Sequence, residues 1–344
     1  MTRPDSLIRS KRPRLDDIAK ALGVSRATVS NAFNRPQVVA QDLRERILAH
    51  AQSIGYFGPD PKARAMRMQA LQEVAVIFHH DLRYALHDSQ SVGFLRGVAS
   101  ELDVRGLSLQ LIPKMGRSLA PWTSAFQTTA DALIVHDQLP PDLLPQVRAL
   151  GKPVTLIDVN VPDVPCVTVD DLGGARQAAQ HVLSSQPDVL VVLALPMAND
   201  EYEGILAAPQ AFKPWSVSGR RLAGYWRALH EAGFDLGAVH VIWGDDIHPE
   251  HLSQKLTTLM SRLGKQAQRV GALCMSDRLA LAMQRKYGAQ LVALVGFDDI
   301  EEAEAAGLTS IRQDSFAKGA CAVRLALDGG ESVCMATGLV VRDT

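Results

Sequence analysis

From Glu73 onward the chain alternates short, continuous Val/Leu/Ile runs with amphipathic stretches, and this alternation constrains the fold more than any other feature. The runs are VAVIF (74–78), LSLQLI (107–112), ALIV (132–135), PVTLIDV (153–159), VLVVLAL (189–195), HVIW (240–243), VGALCM (270–275) and LVALVGF (291–297). Helical stretches lie around 90–104, near 122–129, and over 141–149, 171–184, 218–232, 249–263 and 277–286. Strands apolar on both faces, separated by amphipathic helices, predict parallel sheets covered on both sides. They are too many for one small sheet. Two similar α/β lobes are expected, with a ligand cleft outside the carboxyl ends of the strands.

Upstream the texture is different. In LDDIAKALGVSRATVSNAFN (15–34), Leu15, Ile18, Ala19 and Leu22 recur at helical spacing before Gly23 interrupts. Ser25 is a suitable cap for a second helix with Val29, Ala32 and Phe33 as its apolar stripe. Two short helices around a tight Gly turn predict a helix-turn-helix, whose second helix fits a DNA major groove. Leu43, Ile47, Ala51 and Ile54 line one face of a third helix over 41–54. In GPDPKARAMRM (58–68), Asp60 and Pro61 are good starting residues for a helix of one or two turns. So short a helix needs a groove and a partner chain to order it.

Charge divides the 344 residues in the same way: 1–70 hold 13 Lys+Arg against 6 Asp+Glu, the remainder 23 against 31. A basic head on a mildly acidic body suits a DNA-facing module joined to one that does not face DNA. No stretch reads as a signal peptide or reaches the roughly 18 apolar residues of a membrane helix, so no membrane partner and a cytoplasmic location are expected. Cys166, Cys274, Cys321 and Cys334 form no CxxC pair and read as reduced thiols.

With these motifs in place, the chain resembles the lactose/galactose-repressor (LacI/GalR) family of bacterial transcription factors from about Pro13 to its end. The resemblance is carried by LDDIAKALGVSRATVSNAFN and IGYFGPDPKARAMR, then by TLID, DLGGARQAAQHVL, GRRLAGYW, MSDRLALA, VGFDD and LTSIRQD in family order. It implies a small all-α helix-turn-helix domain and a periplasmic-binding-protein-like core of two Rossmann-like parallel-sheet lobes. It also implies a homodimer on a near-palindromic double-stranded operator, and a small-molecule effector, commonly a sugar or sugar derivative. The organisation expected is a disordered basic arm (1–12), the DNA-binding domain (13–58), a hinge helix and linker (59–71) and the core (72–344). Within the core, 72–170 plus 314–332 make the N-lobe, and 171–313 plus 333–344 the C-lobe. The chain ends without a leucine heptad tail, so a dimer is expected rather than a tetramer.

By that resemblance Arg26, Ala27 and Asn31 sit where base edges are read. Arg can grip guanine O6 and N7, Asn can pair with adenine, and the Ala methyl can touch a thymine methyl. Ser25, Thr28, Ser30 and Asn34 are expected at phosphates, which fix register. Met66 stands where the family places a minor-groove wedge, with Arg64 and Arg67 on adjacent phosphates. Asp298 and Arg221 stand where the family grips its effector. Ser276, Asp277 and Asp158 close other strands, Trp243 offers a stacking face, and Ser315 lies where the chain returns between lobes. His80 and Asp81 are candidates for the opposite wall. Carboxylates and a guanidinium converging on hydroxyls, which both donate and accept, suit a polyhydroxylated ligand.

The chain departs from the family pattern in three places. Val39-Ala40 replaces the usual Ser or Thr cap before the third helix, GYFGPDP carries one extra residue, and 196–215 has an unusual shape. No catalytic residue, metal site or cofactor is indicated: His248 and His251 lack a third ligand, Gly173-Gly174 belongs to no phosphate loop, and no nucleophile stands beside a base. The chain therefore does not read as an enzyme. A solute-binding protein, or a Rossmann-like enzyme carrying a helical head, is the alternative, marked respectively by a signal peptide or by an acid/base pair. The residues leave open whether a ligand releases or promotes operator binding.

Overall fold

The computed structural model describes residues 14–54, 56, 72–78, 82–113, 128–136, 144–195, 204–205, 216–243, 254–265 and 268–344. The arm (1–12), most of the hinge segment with Arg64, Met66 and Arg67, His80 and Asp81, and His248 and His251 lie outside these residues, as do the side chains of Asn34 and Trp243. The chain divides into two units, Met1–Gln72 and Glu73–Thr344.

The first unit holds α1 (Leu15–Leu22), α2 (Arg26–Asn34) and α3 (Gln41–Ser53). Gly23 ends α1 at φ +66°, a left-handed conformation that glycine adopts without a Cβ penalty. Ser25 Oγ accepts from Thr28 N at 3.0 Å and starts α2. No side chain caps α3, where Ala40 holds the cap position. Ile18, Val29, Ala32, Ile47 and Ala51 are buried together, and Phe33 meets Tyr56 edge-on at 5.6 Å.

The second unit contains two sheets. The first comprises β1 (Glu73–Phe78), β2 (Ser108–Pro113), β3 (Ala132–His136), β4 (Val154–Ile157), β5 (Cys166–Val169) and β12 (Val333–Met335), in the order β12-β5-β4-β3-β1-β2. The second comprises β6 (Val189–Ala194), β7 (Gly204–Ile205), β8 (Val239–Trp243), β9 (Val270–Cys274), β10 (Leu291–Asp298), β11 (Thr309–Arg312) and β13 (Gly338–Val340), in the order β13-β11-β10-β9-β6-β8-β7. Pairing is parallel except at β7 and β13, the antiparallel edges of the second sheet. Alternate residues of β6 enter opposite layers: Leu190, Val192 and Ala194 pack under one helix pair, Val189, Val191 and Leu193 under the other. This two-sided burial is why the strands read as unbroken apolar runs.

The helices covering the sheets are α4 (Ser89–Arg105), α5 (Asp171–Ser184), α6 (Val217–Glu231), α7 (Gln254–Lys265), α8 (Asp277–Tyr287) and α9 (Ser315–Asp328). In the first lobe α4 and α9 share a core through Phe94, Val98, Ala322 and Val323. Their backbones meet at Gly97 and Gly319, where a Cβ would stand 1.9 Å from Phe316 O and 2.0 Å from Phe94 O. The described chain crosses between lobes after Val169, Arg312 and Met335. The last crossing corrects the sequence-based boundary: Val333–Met335 pairs with β5 and belongs to the first lobe, and the second lobe resumes with β13. Three residues paired along one sheet edge carry too little pattern to reveal which sheet they join.

Candidate functional site

In the first unit, α2 turns Val29 and Ala32 into the core and leaves Arg26 and Ala27 exposed, with Thr28, Ser30 and Asn31 half-buried. Arg26 Nε lies 3.6 Å from Asp16 Oδ1, both side chains largely in water. A pair so exposed is weakly held, which leaves the guanidinium available to a ligand. Ser25 and Thr28 hydroxyls are 2.8 Å apart at the start of the helix. The arrangement presents a cation, a methyl and an amide along the outer face of a helix whose inner face is fixed.

In the second unit a cavity of about 200 Å³ opens between the two lobes. The first lobe supplies Phe78, Phe94, His136 and Asp158, together with Ser315 and Lys318 from the start of α9, and the second supplies Ser218, Arg221 and Asp298. Asp158 and Asp298 occupy equivalent places, at the carboxyl ends of β4 and β10, and both have positive φ (+60° and +120°). Non-glycine residues in that region carry backbone strain, which is concentrated at functional sites.

Arg221 is buried on α6 and fixed on three sides. Its Nε donates to Asp171 Oδ1 at 2.9 Å, its Nη1 to Met275 O, and its guanidinium lies 3.5 Å over the Phe297 ring. Nη2 is 4.0 Å from Asp298 Oδ1. Burial works against the charge, but the carboxylates of Asp171 and Asp298 outweigh it and raise the proton affinity above the usual arginine value. Gln313 Nε2 donates to Asp298 Oδ1 at 2.5 Å, while its buried Oε1 has no hydrogen-bond partner among the described residues. On the opposite wall Lys318 Nζ donates to Asp158 Oδ1 and Oδ2 at 3.0 and 3.1 Å. Burial would raise the Asp158 carboxyl, but Lys318 and His136 hold it below the ordinary aspartate value. The His136 ring packs on Phe94 and Phe78, with centroids 4.7 and 5.2 Å away.

Hydrogen bonds and one ion pair join the lobes. Arg220 Nη2 donates to Asp158 O at 3.1 Å, and Gln90 Nε2 to Asp298 O at 3.1 Å. Ser89 Oγ donates to the Glu302 carboxylate at 3.2 Å, and Arg278 pairs with Asp88 at 3.6 Å with its guanidinium 5.1 Å from the Tyr84 ring. The lobes are therefore closed on one another.

Residues 14–58 match the model of the lacI family of bacterial regulatory proteins. An HTH-type transcriptional regulator of Mycobacterium tuberculosis is 33% identical over 322 residues, covering 90% of this chain and 89% of its own. The chain belongs to the lacI family. Among solved structures, this LacI-family regulator is similar to the complex of the transcriptional regulator CelR with cellobiose (TM-score 0.60, 25% identical, covering 96% of this chain and 99% of that one). It shares its fold with the lac repressor dimer bound to operator and the anti-inducer ONPF (TM-score 0.74, 20% identical, covering 97% and 99%). The helix-turn-helix head and the two α/β lobes expected from the sequence are thus those of a LacI-family transcriptional regulator, and no helix among the described residues is long and apolar enough to cross a membrane.

Of the sequence-predicted effector residues, the structure brings Asp158, Arg221, Asp298 and Ser315 onto one cavity. Ser276 and Asp277 do not line it. Ser276 Oγ accepts from Leu279 N and starts α8. Asp277 is buried behind β10, accepting from Ile300 N at 2.9 Å and from Ser310 Oγ at 2.6 Å. They close a strand as expected, but their hydrogen bonds run to Leu279, Ile300 and Ser310 and neither residue lines the cleft. Sequence reasoning missed Lys318, Gln313, His136 and Gln90. Lys318 was visible as a charge inside the apolar stripe of a helix, but its partner Asp158 lies 160 residues away and gave no local signal.

Proposed function

We propose that this chain is a ligand-responsive, sequence-specific repressor that acts in the cytoplasm, on the nucleoid, and binds a near-palindromic operator as a homodimer. Arg26, Ala27 and Asn31 read base edges. Ser25, Thr28, Ser30 and Asn34 meet phosphates. The 59–71 segment couples the core to the operator, with Met66 as minor-groove wedge flanked by Arg64 and Arg67. The effector is a sugar or sugar derivative held between the lobes by Arg221, Asp298, Asp158 and Ser315, with Trp243 and His80 as further candidate contacts.

The observation that carries this reading is that groups from both lobes meet on one cavity and are bridged around it by Arg220–Asp158 and Gln90–Asp298. A molecule touching both walls binds the closed arrangement more tightly than an open one, and only such a difference can shift a second equilibrium. A sugar effector is supported by the cellobiose complex of CelR.

Selection of duplexes from a randomised inverted-repeat library, followed by titration at several salt concentrations, tests the DNA half. Tight, salt-sensitive, sequence-selective binding is expected. Addition of sugars to the selected complex tests the effector half, and affinity for the operator should change. Met66→Ala should weaken the operator complex by at least about tenfold while leaving sugar binding unchanged. No selectivity for any inverted repeat would remove the reading.

A further inference from the structure

The cation that opens α2 has an acid beside it. Residues 14–54 hold four carboxylates, Asp16, Asp17, Asp42 and Glu45. Asp17 accepts from Arg14 N at 2.7 Å at the start of α1, Glu45 accepts from Gln41 Nε2 at 3.1 Å within α3, and Asp42 stands in the first turn of α3. Among the described residues only Asp16 pairs with α2, its Oδ1 lying 3.6 Å from Arg26 Nε. The two side chains are 55% and 70% exposed, so they share the outer face of the unit, away from the core of Ile18, Val29 and Ala32. Both Asp16 and Asp17 suit the positive end of the α1 dipole. The pair with Arg26 is what sets Asp16 apart. On a surface that meets DNA, a carboxylate is repelled by every nearby phosphate and lowers the affinity for any sequence. Its favourable contribution there comes through discrimination between sequences. A guanidinium has one N–H on Nε and four on its terminal nitrogens. Asp16 on the Nε side leaves Nη1 and Nη2 for guanine O6 and N7. Its own remaining lone pairs can accept from a base. In the major groove cytosine presents the donor N4–H2 where thymine presents the acceptor O4, so a carboxylate is attracted by the first and repelled by the second. Entry into the groove expels water, and the attraction between Asp16 and Arg26 grows as the local dielectric falls.

We propose that Asp16 is a specificity-determining residue of the DNA interface: it buttresses the Arg26 guanidinium from α1 and accepts from cytosine N4, so that the corner between α1 and α2 selects cytosine over thymine at the base pair next to the guanine read by Arg26. The inference rests on the reading above that Arg26 meets base edges. It adds a second reader, drawn from the first helix, and the base that this reader selects.

The test selects a duplex with the full chain from a randomised inverted-repeat library. Gel-shift titrations then compare the parent, Asp16→Asn and Asp17→Asn on that duplex, on its single-base variants and on a random-sequence duplex. The parent should prefer cytosine over thymine at one position of each half-site by at least about fivefold. Asparagine carries both a donor and an acceptor and can meet either base, so Asp16→Asn should reduce that preference to within about twofold. Loss of the negative charge should at the same time raise its binding to the random-sequence duplex by about two- to threefold at low salt. Affinity for any sequence thus rises while discrimination falls. Asp17→Asn removes the same charge one residue away and keeps an acceptor for Arg14 N. It should raise random-sequence binding in the same way and leave the cytosine preference at the parental value. The Asp16→Asn melting temperature should stay within about 2 °C of the parent. A merely structural role for Asp16 would lower the melting temperature and every affinity together, with the preference unmoved. A preference retained in Asp16→Asn, lost equally in Asp17→Asn, or missing from the parent overturns the role of Asp16 and leaves the reading of Arg26 standing. A parent that selects no inverted repeat overturns both.

Discussion

Asp171 offers the sharpest test of how the ligand wall is held. This single carboxylate, fully buried at the start of α5, accepts from two consecutive arginines of α6: Arg220 through Oδ2 at 2.6 and 3.0 Å, and Arg221 through Oδ1 at 2.9 Å. Arg221 is only 4% exposed, so Asp171→Ala strands a buried guanidinium with Asp298 4.0 Å away as its nearest counter-charge. Removing one partner of a buried ion pair costs about 3–5 kcal/mol. At about 2 °C per kcal/mol for a unit of this size, the melting temperature should fall by about 6–10 °C. Arg221→Met should cost less, because Asp171 keeps Arg220. The decisive variant is the double, Asp171→Ala/Arg221→Met, which removes the more deeply buried of the two guanidiniums that Asp171→Ala strands and should melt above Asp171→Ala although it carries one more substitution. All three should lose the effector response. Thermal denaturation followed by circular dichroism, with calorimetric titration of the effector, reads both quantities. A double variant that melts below Asp171→Ala, or an Asp171→Ala melting temperature within about 2 °C of the parent, would refute the argument that burial of the Arg221 charge dominates.

Arg26→Ala should weaken operator binding by about 1–3 kcal/mol and relax selectivity at one base pair, with no change in melting temperature; quantitative gel shifts on single-base operator variants check this. Burial pushes the Asp277 carboxyl up to about 7, so the folded state holds a proton that the unfolded chain releases near pH 4. Stability therefore falls as pH rises from about 4 to about 7 and is flat above, and Asp277→Asn should flatten that slope in melting curves recorded across the range. Gly97→Ala should destabilise the core by about 1–3 kcal/mol or prevent folding, because its Cβ would stand 1.9 Å from Phe316 O between α4 and α9; urea denaturation measures the loss.

Eight of the thirteen described strands and the main helices were legible in the chain; the short strands Cys166–Val169, Gly204–Ile205, Thr309–Arg312, Val333–Met335 and Gly338–Val340 were not. Two-sided burial writes an unbroken apolar run, as in Val189–Ala194, and a three-helix core writes helical spacing within each helix, as in Ile18 and Leu22, Val29 and Ala32, and Ile47 and Ala51. Strand ends also announced themselves: Asp158 and Asp298 follow apolar runs directly, and both reach the cavity. Which strand ends share a wall was set by the folded arrangement alone. Ser276, Asp277 and Asp298 look alike in sequence, yet the helix cap of Ser276 and the inward bonds of Asp277 turn two of them away from the cleft. Val333–Met335 joined the first sheet rather than the second through three edge pairings. Lys318 became part of the site only because α9 brings it against Asp158 from 160 residues away. Local periodicity records which face of an element avoids water; it carries no record of a distant partner, and electrostatic compensation in a cleft is set entirely by such partners.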